Sequence, residues 1–194
     1  LKMHCETPKM HQYIKPNEEM KMLDLGSGYG TWSFEFADKV QLVHAVDYTE
    51  SMVDLGRVRA VKENIHNIQF FVSSVQDYSS HVCYDLVLLS GVCLYLNDND
   101  IFMMLKHMKD YTKKGTILVL RDSTSIQERY VINKEYSERL GTMYSATYRT
   151  REEYIELFKT IGFELLKDED MFDEGSPLNK HKETRLRIYC FRRK

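Results

Sequence analysis

Two sequence patterns alternate along most of the chain, and this alternation restricts the fold more than any other feature. Short apolar runs rich in branched residues occupy positions 20–26, 40–47, 68–74, 84–91 and 115–122. Segments with helical spacing lie between or after them, at Thr31–Asp38, Ser51–Glu63, Asp98–Tyr111 and Thr150–Thr160. Strands that alternate with helices are typical of βαβ units, which form a parallel sheet. Unbroken apolar runs at 86–89 and 117–120 favour strands that are buried on both faces.

The end of the chain departs from this alternation. Positions 162–170 and 184–193 are predicted to be strands, and only a polar loop with Gly175 and Pro177 separates them. Consecutive strands without a helix between them form an antiparallel pair. A chain of 194 residues suits one domain. We therefore predict an α/β fold, a single three-layer, doubly wound domain over 1–194. Its seven-stranded sheet is mostly parallel with an antiparallel last strand, and helices cover both faces.

Helix ends are signalled at both ends of the chain. Thr150 and Glu153 have the spacing of a capping box, and Gly162 lies where a helix C-cap is expected. Near the N-terminus, Thr7 and Pro8 are predicted to open a short first helix, with the proline at its first helical position. Residues 1–20 are therefore expected to form a partial N-terminal helix.

A glycine-rich turn, Gly26-Ser27-Gly28-Tyr29-Gly30, follows the first predicted strand and opens a helix. Glycines let a backbone turn sharply and approach a ligand closely. Asp47 ends the second strand, and 47 − 26 = 21 residues separate it from the first glycine. A nucleotide-binding βαβ unit places an acid there to bind the ribose hydroxyls. The alternative is a tight turn without a ligand and a surface aspartate.

The spacing of the glycines distinguishes between nucleotides. A dinucleotide site uses G-x-G-x-x-G, which holds a pyrophosphate at the helix N-terminus. Here the third glycine comes one residue early, and Asp24 lies two residues before the first. An acid at that point faces a phosphate badly and suits a cationic ligand. These features disfavour a nicotinamide-dependent oxidoreductase and favour a ligand that has ammonium and sulfonium groups and no phosphate.

Four segments together resemble a known superfamily. "LDLGSGYG" with Asp47, "VSSVQDYSS", "YDLVLLSGVCLYLND" and "GTILVLRDS" are similar to the class I S-adenosylmethionine-dependent methyltransferases. The resemblance runs from Met22 to the final strand. It implies S-adenosylmethionine as the cofactor, with Asp24 and the turn beside its methionine half and Asp47 on its ribose. The turn residues concerned are Gly26, Ser27, Gly28 and Gly30.

The resemblance assigns further cofactor contacts. Tyr48 and Met52 would flank the ribose or adenine, although Met52 is equally well explained as a core residue of a helix face. Val75, Gln76 and Asp77 match the loop that contacts adenine, whose alternative interpretation is a polar turn closing a strand. Ser90 and Gly91 would offer carbonyl oxygens to the cofactor ammonium.

The acceptor of the methyl group should lie at the carboxyl ends of the fourth and fifth strands. Tyr95, Arg121 and Asp122 lie there and are candidate catalytic residues. The alternative is a core tyrosine and a local ion pair. The tyrosine-rich segment 125–150 is longer than a connection needs, so it is predicted to be a substrate-side insertion that brings Tyr148 and Arg149 to the acceptor. Alternatively, its tyrosines pack an amphipathic helix onto the sheet.

The predicted function is methyl transfer to an oxygen or nitrogen atom of a small-molecule acceptor. A rival within the superfamily acts on a protein N-terminal amine, and "VQDY" and "RDS" resemble its motifs. That rival places a histidine near the end of the fourth strand, where Tyr95 lies here. A non-catalytic cofactor-binding subunit is the alternative from another class.

Composition narrows the partners. The net charge of −2 offers no basic footprint for nucleic acid, and no apolar stretch is long enough to suggest a membrane span. Four cysteines without CxxC spacing predict reduced thiols, a cytoplasmic location and no bound metal. Cys83 and Cys93 are expected to be buried. About twenty residues precede the turn, so either the acceptor is large and the site is open, or an N-terminal lid is missing; the Leu1 start favours the latter. The oligomeric state is not predicted.

Overall fold

The computed structural model describes residues 2–138 and 141–194. Seven strands form the main sheet in the order β3-β2-β1-β4-β5-β9-β8, and β6 and β7 form a separate hairpin. The strands are β1 (Lys21–Leu25), β2 (Leu42–Asp47), β3 (Ile68–Val72), β4 (Tyr84–Ser90), β5 (Thr112–Ser125), β6 (Tyr130–Ser137), β7 (Thr142–Tyr148), β8 (Phe163–Asp170) and β9 (Thr184–Arg193). The α-helices are α1 (Lys2–Tyr13), α2 (Thr31–Phe36), α3 (Glu50–Lys62), α4 (Asp98–Met108) and α5 (Arg151–Lys159).

The directions of the strands confirm the predicted fold class. Strands β1 to β5 pair in parallel, whereas β9 runs antiparallel to both of its neighbours, β5 and β8. The last strand of the chain therefore lies inside the sheet, and β8 forms the edge. The strand order reverses between β1 and β4, and in open α/β sheets ligands bind at such a point, outside the carboxyl ends of the strands.

Apolar side chains cover both faces of the sheet. One cluster joins the strands to α4 and α5 through Met104, Met108, Tyr154 and Phe158. The cluster on the other face joins them to α1, α2 and α3, which contribute residues such as Met10, Trp32, Phe36 and Val53. Because both faces are buried, the central strands need no polar alternation, which is why β4 and β5 contain the unbroken apolar runs 86–89 and 117–120.

The first helix begins earlier than the sequence predicts. Helix α1 starts at Lys2, and Pro8 lies inside it rather than at its first position. The Thr7 hydroxyl donates to the carbonyl oxygen of Met3 over 2.9 Å, so this side chain serves the helix interior and not its cap. The prediction that Thr7 and Pro8 open the helix is therefore wrong.

The segment 125–150 contains a hairpin and not a helix. After the end of β5, strands β6 and β7 pair antiparallel from Tyr130↔Tyr148 to Ser137↔Thr142. The alternative of an amphipathic helix packed on the sheet is thus wrong, because branched and aromatic residues alternate here as in strands. Positions 139 and 140 of the predicted insertion lie outside the described residues.

The four cysteines are all free. Cys93 and Cys190 are buried, but Cys83 is exposed, so its predicted burial is wrong. Cys83 lies just before β4, which begins at Tyr84, and is therefore outside the buried part of the sheet. Within 2–138 and 141–194, the structure contains no helix of the length and apolarity that a bilayer crossing requires.

Candidate active site

The glycine-rich turn is attached to the end of β2. Gly26, Gly28 and Gly30 have φ angles of 75°, 56° and 88°, which lie in the left-handed region that glycine adopts readily. The amides of Gly26 and Ser27 both donate to the carbonyl oxygen of Val46, over 2.8 and 2.9 Å. Gly30 is the N-cap of α2. The motif therefore forms a tight loop beside the carboxyl end of β2.

Gly26 also allows a close approach between the turn and the segment after β4. A Cβ atom built on Gly26 would lie 2.2 Å from Cγ2 of Val92. A side chain at this position would force the two loops apart. The first glycine is thus required both by its backbone angle and by its packing.

Asp47 binds the turn from the end of β2. One carboxylate oxygen accepts from the amide of Gly28 and the other from the amide of Thr49, each over 2.9 Å. The residue is buried, with 8% of its surface exposed. A carboxylate has about four lone-pair sites, so two remain for hydroxyl donors. This arrangement suits a ribose diol.

Asp24 is buried below the turn. Its carboxylate accepts a 2.6 Å hydrogen bond from the Ser33 hydroxyl on α2. Burial raises the pKa of Asp24 to about 6, and the nearby Asp47 charge adds to this, although hydrogen bonds from Ser33 oppose it. A cation placed near Asp24 would favour its ionised form.

A cavity of about 510 Å³, named here the cofactor cavity, opens at these strand ends. Six predicted cofactor residues line it: Gly26, Asp47, Tyr48, Val75, Gln76 and Gly91. Val92, Leu96 and Asp100 also line the cavity and were not predicted, whereas Ser74 begins the predicted adenine loop (74–77) and Tyr95 was predicted to lie on the acceptor side. Asp100 lies in the first turn of α4, and a carboxylate soon after the fourth strand was the only signal for it.

The other predicted cofactor residues do not line this cavity. Met52 lies on α3 with 40% of its surface exposed. Asp77 is exposed and accepts from the Ser74 hydroxyl. The Ser90 hydroxyl accepts from the indole nitrogen of Trp32 over 3.1 Å. The structure therefore brings Gln76, rather than Asp77, to the cavity, whereas Asp24, Ser27, Gly28 and Gly30 form its supporting layer.

A second cavity of about 540 Å³, named here the acceptor cavity, lies next to the first. The two cavities share Gly91 and Tyr95. Four predicted acceptor-side residues line the second one: Tyr95, Arg121, Asp122 and Tyr148. The tyrosine-rich hairpin adds Tyr144, whose ring meets that of Tyr95 edge to face, with centroids 6.1 Å apart.

Arg149 does not face the acceptor cavity, so the prediction that it contacts the acceptor is wrong. Its guanidinium is buried, with 1% of the residue exposed. Nη1 donates to the carbonyl oxygen of Cys93 and Nη2 to that of Leu96, both over 2.9 Å, and Nη2 also contacts Asp98 at 2.8 Å. The short 3₁₀ turn that carries Tyr95 runs from Cys93 to Tyr95. Arg149 thus holds that turn from both sides of Tyr95.

Asp122 holds the same turn from the sheet. One carboxylate oxygen accepts from the amide of Leu94 over 3.1 Å, and the other accepts from the amide of Ser123 over 2.8 Å. Burial raises the pKa of Asp122 to about 7, and the backbone hydrogen bonds oppose this only partly. Together, Asp122 and Arg149 bind both the amides and the carbonyls of the segment around Tyr95.

Arg121 connects α1 with the strand ends. Nη2 donates to the Glu6 carboxylate over 2.6 Å, and Nη1 donates to the Ser90 hydroxyl over 3.3 Å. Glu6 and Arg121 are both largely buried, with 2% and 11% of their side chains exposed. The alternative of a local Arg121–Asp122 ion pair is not what the structure contains, because the partner of Arg121 comes from the N-terminal helix.

One wall of the acceptor cavity, formed by the loop between β8 and β9, was not predicted from the sequence. The loop between β8 and β9 contributes five residues: Phe172, Leu178, Asn179, Lys180 and His181. The only signal was its length and its Gly175 and Pro177, which are typical of loops but do not indicate which surface a loop covers. Across 2–138 and 141–194, no group of three or more histidine, cysteine, aspartate or glutamate side chains is arranged to hold a metal ion.

The fold and the cleft define a class of protein. A sheet of this order, with the glycine turn and Asp47 at its switch point, is that of a class I S-adenosylmethionine-dependent methyltransferase. The chain belongs to the methyltransferase domain family, whose sequence profile matches residues 16–170. Solved structures of this superfamily include complexes with S-adenosylhomocysteine, the product form of the cofactor.

Curated relatives cover part of the chain. Phosphoethanolamine N-methyltransferase 3 of Arabidopsis thaliana is 27% identical over 121 residues, which are 61% of this chain and 24% of that protein. Alpha N-terminal protein methyltransferase 1 of Dictyostelium discoideum is 24% identical over 147 residues, 75% of this chain and 51% of that protein. The chain thus spans about a quarter of the length of the first of these relatives.

Solved structures match almost the whole chain. An S-adenosylmethionine-dependent methyltransferase structure from Listeria monocytogenes has a TM-score of 0.75 at 16% identity and covers 98% of this chain and 99% of that one. The Burkholderia thailandensis 1,6-didemethyltoxoflavin-N1-methyltransferase has a TM-score of 0.74 at 16% identity, with coverage of 99% and 78%. At this level of identity the similarity shows the fold alone.

Proposed function

We propose that this domain transfers the methyl group of S-adenosylmethionine to an oxygen or nitrogen atom of a small-molecule acceptor. The observation that carries the proposal is the meeting of two cavities at Gly91 and Tyr95. One cavity contains Gly26 and Asp47, and the other is lined mainly by strand ends, the hairpin and the loop after β8. A cofactor and an acceptor in these cavities would meet at the shared residues.

On the cofactor side, we assign Asp47 to the ribose hydroxyls and Gln76 with Val75 to the adenine. Ser90 and Gly91 carbonyl oxygens, with Asp24 behind the turn, would face the ammonium group. Support comes from the two remaining lone-pair sites on Asp47 and from the position of Gln76 on the cavity wall. Met52 and Asp77 have no role in this proposal, because both are exposed at the surface and neither lines the cavity.

On the acceptor side, Tyr95, Tyr148 and Arg121 are assigned to direct contact. The cofactor supplies a methyl group on a positively charged sulfur, which is already a good electrophile. The chain must then align the acceptor atom with the S–CH3 bond and exclude water. We assign Asp122 and Arg149 to positioning Tyr95, since both carboxylate oxygens of Asp122 accept backbone amides and Arg149 is buried.

The test measures cofactor binding and turnover separately. Calorimetry with S-adenosylhomocysteine should give micromolar affinity and a raised melting temperature, whereas NAD should give neither. Release of S-adenosylhomocysteine would then be followed with small amines, small alcohols and phenols, and a peptide with a free N-terminus. Turnover of a small acceptor, lost in Asp47→Ala, supports the proposal. Absence of both binding and thermal shift would refute it.

Two other outcomes identify the rival functions. Turnover of the peptide alone would favour a protein N-methyltransferase. The similarity to the Dictyostelium discoideum relative, which covers 75% of this chain, supports this rival. Tight binding without any turnover would favour a non-catalytic cofactor-binding subunit.

A cytoplasmic location is part of the same proposal. It is supported by the four free cysteines, of which Cys5 and Cys83 are exposed. Exposed thiols persist in reducing compartments and are rare in oxidising ones. Fluorescence microscopy of cells that produce the protein fused to a fluorescent protein would test this location.

A further inference from the structure

Basic side chains from two separate elements line the acceptor cavity. Arg121 lies near the end of β5, and Lys180 and His181 lie in the loop between β8 and β9. This loop is held by internal hydrogen bonds, since the Asn179 side chain donates to the carbonyl oxygen of Asp173 over 2.9 Å. The carbonyl oxygen of His181 accepts from Arg185 on β9 over 2.9 Å. The chain therefore presents Lys180 and His181 on the cavity wall.

Lys180 and His181 are not paired with the acidic residues of their own loop, Asp173, Glu174 and Glu183, in the described structure. Among the described residues, the Lys180 ammonium and the His181 ring have neither an ion-pair nor a hydrogen-bond partner, and both residues are exposed. Lys9 and Arg187, by contrast, are paired with Glu169 and Asp168, whereas Lys182 of the same loop has no ion pair among the described residues and lines a different cavity. Lys180 is thus an unpaired cation where the loop borders the acceptor cavity, and His181 follows it on the same wall.

Arg121 adds an unused donor. Glu6 compensates the charge of its guanidinium, but Nε is buried and has no acceptor among the described residues. A buried donor without a partner is costly, so such a group usually has a partner in the working state of a protein. Nε has almost no accessible surface, so an oxygen of a bound ligand would satisfy it only after the guanidinium rotates toward the cavity.

The walls of the acceptor cavity carry little negative charge. Asp122 is the single acidic residue among the described lining residues; it is fully buried, and the amides of Leu94 and Ser123 occupy two of its lone-pair sites. Burial also disfavours its ionised form. A cationic ligand would therefore gain little here, whereas an anion would meet Lys180 and His181 and lie beside Arg121.

We propose that the acceptor cavity binds a carboxylate or phosphate group of the acceptor through Lys180, His181 and Arg121. The inference rests on the proposed function only in calling the ligand an acceptor. It narrows the substrate class to small molecules that carry an anionic group at one end and the methyl-accepting oxygen or nitrogen at the other. The accepting atom would then lie toward Gly91 and Tyr95, where the cavity meets the cofactor cavity.

The test uses three aromatic probes of similar size and needs no turnover. Phenyl phosphate, benzoate and phenol are titrated by calorimetry into protein saturated with S-adenosylhomocysteine, at constant ionic strength. At least one anionic probe should bind about tenfold more tightly than phenol, because hydrogen bonds to charged groups are the stronger ones. The two anions separate a phosphate site from a carboxylate site.

Neighbouring positions supply the matched variants. Lys180→Met and His181→Gln should each weaken binding of the preferred anion several-fold. Lys182→Met is the control, since Lys182 is an exposed residue of the same loop but lines a different cavity with Glu183 and Arg129. It should leave the affinity unchanged. All three are exposed, so the fold should survive, and S-adenosylhomocysteine affinity should be the same in each.

The inference is overturned if phenol binds as tightly as both anions, if no probe binds, or if Lys182→Met weakens binding as much as Lys180→Met. The last result would indicate diffuse surface charge. The proposed function fails separately, through absence of S-adenosylhomocysteine binding. In that case the same titrations on the protein without added nucleoside still decide the anion site.

Discussion

Arg149 Nη1 donates a hydrogen bond to the carbonyl oxygen of Cys93 over 2.9 Å, although 56 positions separate the two residues. The same guanidinium contacts the carbonyl oxygen of Leu96, so the residue that follows the hairpin supports the turn that carries Tyr95. This relationship couples the hairpin to the boundary between the two cavities.

Arg149→Met should destabilise the protein by about 3 kcal/mol. The variant leaves two carbonyl oxygens near a buried position without their charged donor, and each such hydrogen bond contributes about 1.5–3 kcal/mol. Urea unfolding measures the effect. Arg129→Met is the matched control, because Arg129 contacts the same Asp98 from the surface and should cost less than about 1 kcal/mol. Equal losses in the two variants would contradict the supporting role of Arg149.

Asp47→Ala should weaken S-adenosylhomocysteine binding at least about tenfold, since charge-assisted hydrogen bonds to a diol are lost. Calorimetry on the folded variant gives the affinity. Asp77→Ala provides the comparison, because Asp77 lies in the neighbouring loop but is exposed and does not line the cofactor cavity. If Asp77→Ala is the more damaging change, the nucleoside binds differently from the arrangement proposed here.

Gly26→Ala should be more damaging than Gly28→Ala. Both glycines have positive φ angles, but only at Gly26 would a Cβ meet another side chain, Val92 at 2.2 Å. At Gly28 no atom lies within 4 Å of the added carbon. The expected costs are about 1–2 kcal/mol for the backbone alone and roughly 1–3 kcal/mol more for the clash.

Thermal and urea unfolding of both glycine variants checks this order. The double variant Gly26→Ala with Val92→Ala should recover part of the loss, because it removes the atoms that clash. No recovery would show that the backbone angle, and not the contact with Val92, makes Gly26 necessary.

The stability of the protein should fall as the pH rises from about 4 to about 7, in part because of Asp24. Its pKa is about 6 in the folded state and about 4 in the unfolded chain. Between these values the folded state binds more protons, so deprotonation favours unfolding. The corresponding loss is about 3 kcal/mol.

Asp24→Asn isolates this contribution. The amide oxygen can still accept from the Ser33 hydroxyl, but the side chain no longer titrates. The difference in free energy of unfolding between the native protein and the variant should therefore change with pH over this window. Curves that stay parallel from pH 4 to pH 7 would mean that Asp24 keeps an ordinary pKa.

Tyr148→Phe should leave S-adenosylhomocysteine affinity unchanged and lower kcat/KM for the acceptor. The Tyr148 hydroxyl bonds to that of Tyr144 over 2.9 Å, and both residues line the acceptor cavity only. Loss of the hydroxyl loosens the wall without touching the cofactor side. Tyr136→Phe is the control on the same hairpin, because Tyr136 is 65% exposed and does not line the cavity. Unchanged turnover in Tyr148→Phe would contradict the assignment.

Local patterns predicted much of the fold correctly. The apolar runs became strands, and the capping box at Thr150 and Glu153 is present with both of its hydrogen bonds. The glycine turn and Asp47 meet as their spacing predicts, with Gly28 bonded to the carboxylate. Such features depend on neighbours within one turn or one βαβ unit, so a single sequence contains the information.

Features that depend on distant parts of the chain were not predictable in the same way. Nothing in the sequence around Arg149 distinguishes it from an exposed arginine, because its burial depends on carbonyl oxygens of Cys93 and Leu96. The hairpin β6–β7 was not predicted, because its alternating aromatic residues fit either strands or an amphipathic helix. The positions of the sheet edge and of the turn after β4 decide between these two structures. The Glu6–Arg121 pair required α1 to pack against the strand ends.

The sequence by itself determined the seven strands of the main sheet and the helices between them, the position of the nucleotide turn and the acid that serves it, because these follow from local spacing and hydrophobic periodicity. Only the tertiary structure decided which side chains share a cavity. In the folded protein Lys180, His181 and Arg121 line the same cavity, and Arg149 is buried in the interior. The physical reason is that burial and charge pairing are set by packing between segments far apart in the chain, which no local pattern specifies.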